Sequence, residues 1–218
     1  IPLHGAFLFV VFQTLTFAET KVELLKTPNT GIQPKVIVDT FGVAHLIYYK
    51  GDASSGNIFY CKRESGEDFT TPIQVNTIPG SAVSMGTIRG ANFALDNDGR
   101  VHAVWNGSRS TKQDGQHGPP MFYTRSKDNG FSFDREKIIS PKGTGVCGCC
   151  SMQTAVDRDE NIYVVYRTAR DGEHRDINLL LSQDNGKNFE DQIMDKWEVQ
   201  ACPMSSMSFG ETDRHMLV

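Results

Sequence analysis

The amino-acid sequence predicts an all-β fold, a β-propeller built from four-stranded antiparallel blades. The first observation is a D-x-x-G turn, or a close variant of it, that recurs at Asp39, Asp96 and Asp157 at intervals of 57 and 61 residues. The second is the turn S-x-D-x-G-x-x-F, which occupies residues 126–133 and again 182–189. The third is the lack of a sustained 3.6-residue apolar period, so helix is expected to be scarce.

Each repeat unit contains four strand-like segments. An apolar strand leads into the D-x-x-G turn and an aromatic-rich second strand; a variable loop then leads to a third strand, the S-x-D-x-G turn and a fourth strand. The Asp-Asn-Gly step favours a tight turn because glycine accepts a positive φ, and the Ser and Asp side chains can bond the turn backbone. A degenerate copy of this turn lies at residues 63–69. The pattern predicts blades at about 31–80, 86–142 and 147–197, with a fourth beginning near 201.

The N-terminal region has a different composition. Residues Gly5 to Ala18 form an apolar run that ends in small residues before Glu19. This pattern predicts that residues 1–18 are a secretory signal peptide, incomplete at its front end, and that 19–30 are a linker. The alternative is a buried edge strand. The run is too short for a typical membrane span, so we expect a secreted or periplasmic protein with no stable membrane span after signal removal.

The overall composition is that of a soluble globular protein. Hydrophobic residues make up 39% of the chain and aromatic residues 10%, which suffices for a real core. The net charge of −4 and the lack of a Lys/Arg cluster argue against a nucleic-acid partner. No cofactor or metal is predicted from composition.

The S-x-D-x-G-x-x-F turn resembles the Asp box of the sialidase (neuraminidase) superfamily. The catalytic domains of that family are six-bladed propellers, so the resemblance implies that residues 31–218 are part of a six-bladed ring. Asp boxes indicate fold and not chemistry, and their role is structural. The residues that carry the two complete motifs are Ser126, Asp128, Gly130, Phe133, Ser182, Asp184, Gly186 and Phe189.

The order of the strands and turns within each blade predicts where a binding site lies. The segment that leads into each inner strand and the loop between the second and third strands share one face of the disc, opposite the two repeated turns. Several polar residues in these loops are predicted to form a ligand-binding rim, because the arginine fork binds carboxylate groups through two hydrogen bonds. They are Asn106, Arg109, Arg167, Arg175 and Asp176.

The sialidase resemblance implies three arginines around the carboxylate of sialic acid, a Tyr/Glu nucleophile pair and an Asp acid/base. In the first blade Ile32 stands where the family has its first arginine, which weakens the catalytic interpretation. The second blade keeps an arginine in Thr-Ile-Arg89-Gly-Ala, so Arg89 is predicted to bind a substrate carboxylate; the alternative is an inter-blade salt bridge. Asp52 is a candidate acid/base by position. No Tyr/Glu pair can be assigned.

Four cysteines lead into the third and fourth blades: Cys147, Cys149, Cys150 and Cys202. In an exported protein such residues usually form disulfides, which would fix these loops in place. Of the three pairings, the one that joins the adjacent pair is strained. The alternative is a thiolate site for copper or zinc, with a histidine or methionine nearby. The fifth cysteine, Cys61, is predicted to be a buried free thiol.

Residues 146–205 also resemble a subgroup of bacterial secreted sialidase-like propellers for which no reaction is established; the resemblance is carried by C-x-C-C, Arg175-Asp176, the Asp box, Trp197 and Ala-Cys-Pro-Met, in that order. Two functions therefore stand. One is an exo-glycosidase that acts on a terminal acidic sugar, with Arg89 on its carboxylate. The other is a non-catalytic propeller that binds glycan or protein at the same face, with disulfide-pinned loops. In both, a glycan or glycoconjugate is the favoured partner.

Two sets of aromatic positions recur between blades. His45, His102 and Tyr163 share one strand position, which predicts packing between blades with the ring nitrogen bonded locally. Tyr48, Trp105 and Tyr166 share another. They are predicted to belong to the core, and the alternative is a sugar-stacking rim.

Overall fold

The structure is a computed structural model that describes residues 22–84, 90–115, 117–148, 150–170, 174–201, 203–212 and 215–218. The predicted signal segment, residues 1–18, lies outside the described residues. Three predicted site residues also lie outside them: Arg89, Cys149 and Cys202.

Three four-stranded antiparallel sheets follow one another along the chain, each with its strands in sequential order. The described residues contain two short 3-10 turns and no α-helix, which confirms the all-β prediction. The strands of the first sheet are β1 Ile32–Val38, β2 Ala44–Asp52, β3 Ser55–Arg63 and β4 Ile73–Gln74.

The second and third sheets repeat this plan, and a two-stranded hairpin follows them. The strands of the second sheet are β5 Ala91–Leu95, β6 Val101–Asn106, β7 Met121–Arg125 and β8 Lys137–Ile138. The strands of the third sheet and the hairpin are β9 Gln153–Val156, β10 Ile162–Arg167, β11 Ile177–Ser182, β12 Glu190–Asp195, β13 Gly210–Glu211 and β14 Met216–Leu217.

The β1–β2 turn shows why its aspartate recurs. Oδ1 of Asp39 accepts hydrogen bonds from the backbone N–H groups of Phe41 and Val43, each at 2.9 Å. Asp96 and Asp157 accept equivalent pairs at 2.8–3.0 Å. A carboxylate at this position therefore satisfies two turn donors at once, and the requirement is local in sequence.

The second oxygen of the same aspartate extends into a buried network. Nε2 of His45 lies 3.2 Å from Oδ2 of Asp39, and its Nδ1 lies 2.6 Å from the hydroxyl of Tyr60. His102 repeats this between Asp96 and Tyr123. Because the carboxylate can only accept, Nε2 carries the proton and the tyrosine donates to Nδ1. The prediction that these ring nitrogens are bonded locally is confirmed.

The S-x-D-x-G turn joins the third and fourth strands of a blade. The N–H of Gly130 donates to Oγ of Ser126 at 2.7 Å, and the N–H of Ser132 donates to Asp128 at 2.8 Å. The turn at residues 182–189 has the same bonds. Side-chain bonding of the turn backbone, predicted from the motif, is therefore confirmed in both copies.

The core lies between adjacent sheets. One cluster joins the first and second blades through residues such as Tyr60 and Trp105, and another joins the second and third through Val104 and Tyr166. Strand β6 is buried along its whole length because one of its faces packs into each cluster. By contrast, alternate residues of β1 are exposed.

Candidate functional site

The predicted face is assembled where the chain leaves one blade and begins the next. The N–H of Val83 donates to the carbonyl of Asn106 at 3.3 Å, and the N–H of Cys147 donates to the carbonyl of Arg167 at 2.9 Å. In the third blade the N–H of Arg175 donates to the carbonyl of Trp197 at 2.8 Å. Each inter-blade segment is thus bonded to a loop after a second strand, as the order of strands and turns within each blade predicts.

Arg167, the last residue of β10, lies at the centre of this face and is only 2% exposed. Its Nε and Nη2 donate to Oγ of Ser205 at 3.1 and 2.7 Å, and its Nη1 donates to the carbonyl of Arg175. The guanidinium also lies 4.5 Å from the centre of the Trp197 ring, a cation–π contact. No carboxylate among the described residues pairs with it, so a buried positive charge is held by neutral groups.

Arg175 is the second arginine of this face, and its backbone carbonyl accepts from Arg167. Its Nε is buried and has no hydrogen-bond partner, and no ion pair forms with it in the part of the chain that the structure describes. The next residue, Asp176, is fixed, because its Oδ1 accepts from the N–H of Trp197 at 2.9 Å and its own N–H donates to Oγ1 of Thr168 at 3.0 Å. The backbone of Arg175 is therefore held firmly, while its buried side-chain Nε is left without a hydrogen-bond partner.

Asn106 forms the wall toward the second blade. It is 2% exposed, and its Nδ2 donates to the carbonyl of Cys147 at 3.4 Å. Its Oδ1 is buried without a partner, and so are the hydroxyls of Ser84 and Ser151. Buried polar atoms in native proteins are nearly always bonded, so these unpartnered ones are candidates for contact with a ligand.

Cys147 and Cys150 line the segment between Asn106 and Arg167. Both are buried, and their Sγ atoms lie 3.7 Å apart. The hydrogen bond with Cys147, together with burial, raises the pKa of the Cys150 thiol, while Arg167 acts in the opposite direction. No two cysteine sulfurs that the structure describes lie at bonding distance, so the predicted disulfides stay predictions. Cys61 in β3 is a buried free thiol, as predicted.

The metal alternative finds no support in the described residues, which contain no group of three His, Cys, Asp or Glu side chains placed to hold an ion.

Two further predicted residues lie apart from the Arg167 network. Arg109 is exposed in a 3-10 turn. Asp52 is exposed, and its carboxylate accepts from the hydroxyl and N–H of Ser54 at 2.7 and 2.9 Å, which lowers its pKa.

Three equivalent aromatic residues, predicted as core with a sugar rim as the alternative, are core. Tyr48 and Trp105 are fully buried and Tyr166 is 1% exposed.

Sequence reasoning missed Trp197 and Ser205 as partners of Arg167. The available signal for Trp197 was its position directly after the third blade, in the segment that leads to the fourth.

Comparison with known proteins gives the fold. No protein-family model matches the chain, and no curated protein matches it. Among solved structures it is similar to a Hadza microbial sialidase, Hz136, with 13% identity and a TM-score of 0.54 over 75% of this chain and 37% of that one. It is also similar to an α-L-arabinanase of Penicillium chrysogenum complexed with arabinobiose, with 14% identity and a TM-score of 0.51 over 77% and 52% of the chains. The chain has a sialidase-like propeller fold.

A third similar structure is a protein of unknown function from Dyadobacter fermentans, with 14% identity and a TM-score of 0.52 over 74% of this chain and 50% of that one. The chain thus spans about a third to a half of the length of these structures. At such identities the likeness concerns the fold alone. In the part of the chain that the structure describes, no helix is long and apolar enough to span a membrane.

Proposed function

We propose that this propeller binds carbohydrate, and that the face around Arg167 and Arg175 takes the acidic group of a glycan. The observation that carries the proposal is that Arg167, which donates to the backbone carbonyl of Arg175, and Arg175 itself have no carboxylate partner among the described residues. Buried or half-buried arginine is costly unless an anion or good hydrogen-bond acceptors compensate it. A ligand carboxylate would supply that compensation.

The chemistry of the site suits an acidic sugar. The Arg175 guanidinium has the fork geometry that binds two carboxylate oxygens, and ligand binding would have to expose its buried, unpartnered Nε. Trp197 is half-buried beside Arg167 and presents an aromatic ring of the kind that stacks on sugars. Oδ1 of Asn106 can accept from a sugar hydroxyl. Charge recognition, an apolar platform and a hydroxyl partner therefore share one face.

The similar structures support a carbohydrate ligand in particular. One is a sialidase and another is an arabinanase complexed with arabinobiose. The secretory segment predicted at residues 1–18 supports a secreted or periplasmic location, where extracellular glycans are met.

A hydrolytic role is a second proposal, and it rests on sequence position. Arg89 would bind the substrate carboxylate of a terminal acidic sugar, and Asp52, the last residue of the second strand of the first blade, would act as acid/base. The hydrogen bonds from Ser54 lower the pKa of Asp52, which makes it a weaker base, so its candidate role rests on position alone. Hydrolysis of a fluorogenic sialoside by the wild-type chain, and its loss in Arg89→Ala, tests this role.

Binding is tested separately with matched acidic and neutral glycans. We expect the wild-type chain to bind a sialylated oligosaccharide and not its desialylated form, and Arg175→Ala to weaken binding at least about tenfold, since it removes a charge-assisted bidentate contact. Arg135→Ala is the matched control, because Arg135 is exposed and lies outside this face. Equal binding of both glycans, or equal losses in both variants, would contradict the proposal. If the chain captures a glycoprotein equally well before and after its glycans are removed enzymatically, the ligand is protein and not glycan.

A further inference from the structure

The segment that leads into the third blade contains two sulfur atoms in contact. Sγ of Cys147 and Sγ of Cys150 lie 3.7 Å apart, and the two side chains are 4% and 3% exposed. The residues are spaced C-x-x-C. A disulfide needs about 2.05 Å between the sulfurs, so a modest rotation of the side chains would bring them together.

We infer that Cys147 and Cys150 are a dithiol pair that closes into a disulfide on oxidation, and that this bond clamps the wall of the Arg167 site. Three pairings of the four cysteines are open from the sequence. The observed sulfur contact supports the one that joins Cys147 to Cys150, which would leave Cys149 and Cys202, both outside the described residues, for each other or for no bond.

The pair is placed to act on the site because each cysteine lies close to it. The carbonyl of Cys147 accepts from Asn106, and its N–H donates to the carbonyl of Arg167. The backbone of Ser205, whose hydroxyl accepts from Arg167, lies close enough to the Cys150 thiol to act on its pKa. A bond between the sulfurs would therefore tie Asn106 and Arg167 to one short covalent loop beside Ser205.

The chemistry balances with a small-molecule disulfide such as oxidised glutathione as oxidant. The thiolate of one cysteine attacks a glutathione sulfur, which forms a mixed disulfide and releases one glutathione thiolate. The second cysteine, on losing its proton, attacks the protein sulfur of that mixed disulfide and releases the second glutathione. The protein loses two protons and two electrons, and one molecule of oxidised glutathione becomes two of reduced glutathione.

The rate of closure should depend on pH. Hydrogen bonding to Cys147 and burial raise the pKa of Cys150, so its thiolate is scarce at neutral pH. The thiolate is the attacking species. Closure should therefore accelerate up to about tenfold per pH unit between pH 7 and 9.

A single tryptic peptide reports the bond, because no Lys or Arg lies between Lys142 and Arg158. In the Cys149→Ser chain, oxidation with glutathione disulfide should make this peptide lose two hydrogens and resist alkylation. The Cys150→Ser chain is the matched control, and its peptide should show no internal bond. Circular dichroism before oxidation verifies that each variant retains its β structure.

Two results would overturn the inference. One is a folded Cys149→Ser chain whose peptide is alkylated at both remaining cysteines after oxidation. The other is an internal bond in the Cys150→Ser control, which would assign the pairing to Cys147 and Cys149. If Cys149→Ser does not fold, fragmentation of the oxidised wild-type peptide locates the bond, and a bond that includes Cys149 would equally reject the pairing.

Discussion

Gly130 of the second blade lies directly against the ring of Tyr60 in the first. A Cβ atom at Gly130 would stand 2.1 Å from Cε1 of that ring. The same relationship recurs one blade later, where a Cβ at Gly186 would stand 2.0 Å from the hydroxyl oxygen of Tyr123. The glycine of the S-x-D-x-G turn is thus required twice, for its positive φ and for the close approach of the neighbouring blade.

The phenylalanine that ends the motif belongs to the same contact. Phe133 packs edge-on against Tyr60 with ring centres 5.6 Å apart, and Phe189 packs against Tyr123 at 5.0 Å. Since His45 holds Tyr60 by a hydrogen bond, the two repeated motifs form one connected unit. The D-x-x-G-x-x-H motif positions a tyrosine, and the turn of the next blade packs on it.

Gly130→Ala is expected to destabilise the chain by about 2–4 kcal/mol, because it adds a clash with Tyr60 to the strain of a positive φ. Gly66→Ala is the control. Gly66 has nearly the same φ, +84°, and no atom within 4 Å of its added Cβ. Gly66→Ala should lower the free energy of unfolding by about 1–2 kcal/mol, from backbone strain alone. Urea unfolding measures both, and equal losses would show that the contact between blades contributes nothing.

Stability should fall on mild acidification because of His45. Burial lowers the pKa of His45 below its usual 6.5, with Asp39 opposing. The unfolded chain therefore takes up a proton at a pH where the folded chain does not, and stability is lost as the pH falls from about 6.5 through the folded pKa. The urea midpoint at pH 7.5 and pH 5.5 measures this. His45→Gln should reduce the difference, and an unchanged pH dependence would exclude His45 as its source.

Glu136 fastens the end of the first blade to the second. Its carboxylate accepts from the N–H and hydroxyl of Thr77 and from the N–H of Ile78 at 2.5–2.9 Å, and the residue is 6% exposed. Glu136→Gln should lower the free energy of unfolding by about 1–3 kcal/mol at pH 7. The substitution removes the charge that strengthens these hydrogen bonds, and it places the glutamine amide NH₂ against the N–H and hydroxyl donors of Thr77 and Ile78. The exposed residue Glu190 supplies the control Glu190→Gln, which should cost less than about 0.5 kcal/mol.

The Glu136 effect should also depend on pH. Burial favours the neutral acid, but the hydrogen bonds from Thr77 and Ile78 outweigh it and lower the pKa of Glu136 below 4.5. Its contribution is present above pH 4.5 and is lost as the pH falls through the folded value. The difference between wild type and Glu136→Gln should therefore shrink in the acid range. A difference that stays constant down to pH 3 would contradict this assignment.

Arg167→Lys is expected to loosen the site even though it keeps the charge. The planar arginine fork bonds Ser205 and the carbonyl of Arg175 at the same time and also stacks on Trp197. The single ammonium group of lysine cannot make all three contacts. Acrylamide quenching of Trp197 fluorescence, in a Trp105→Phe background, should increase. Arg109→Lys, at an exposed arginine, is the control and should leave quenching unchanged. Equal quenching in both variants would mean that Arg167 does not order this face.

Local features were readable from the sequence. Asp39 bonds N–H groups two and four residues ahead, and Ser126 bonds one four residues ahead. Because partners so close in sequence meet whenever the turn forms, the motif implies its own geometry, and the repeated motifs implied the strand order of each sheet. The burial of Tyr48 and Tyr166 followed from their equivalent strand positions.

Contacts between distant residues needed the folded chain. The 70-residue separation of Tyr60 and Gly130 and the 38-residue separation of Arg167 and Ser205 leave no periodic signal. Nothing in the motif indicated that Trp197 would cover the Arg167 guanidinium. The sequence by itself determined the turns, the strands and the face that carries the loops, because short-range hydrogen bonds and strand periodicity set them. Only the tertiary structure decided which side chains meet on that face, because blade packing brings together loops that are far apart along the chain.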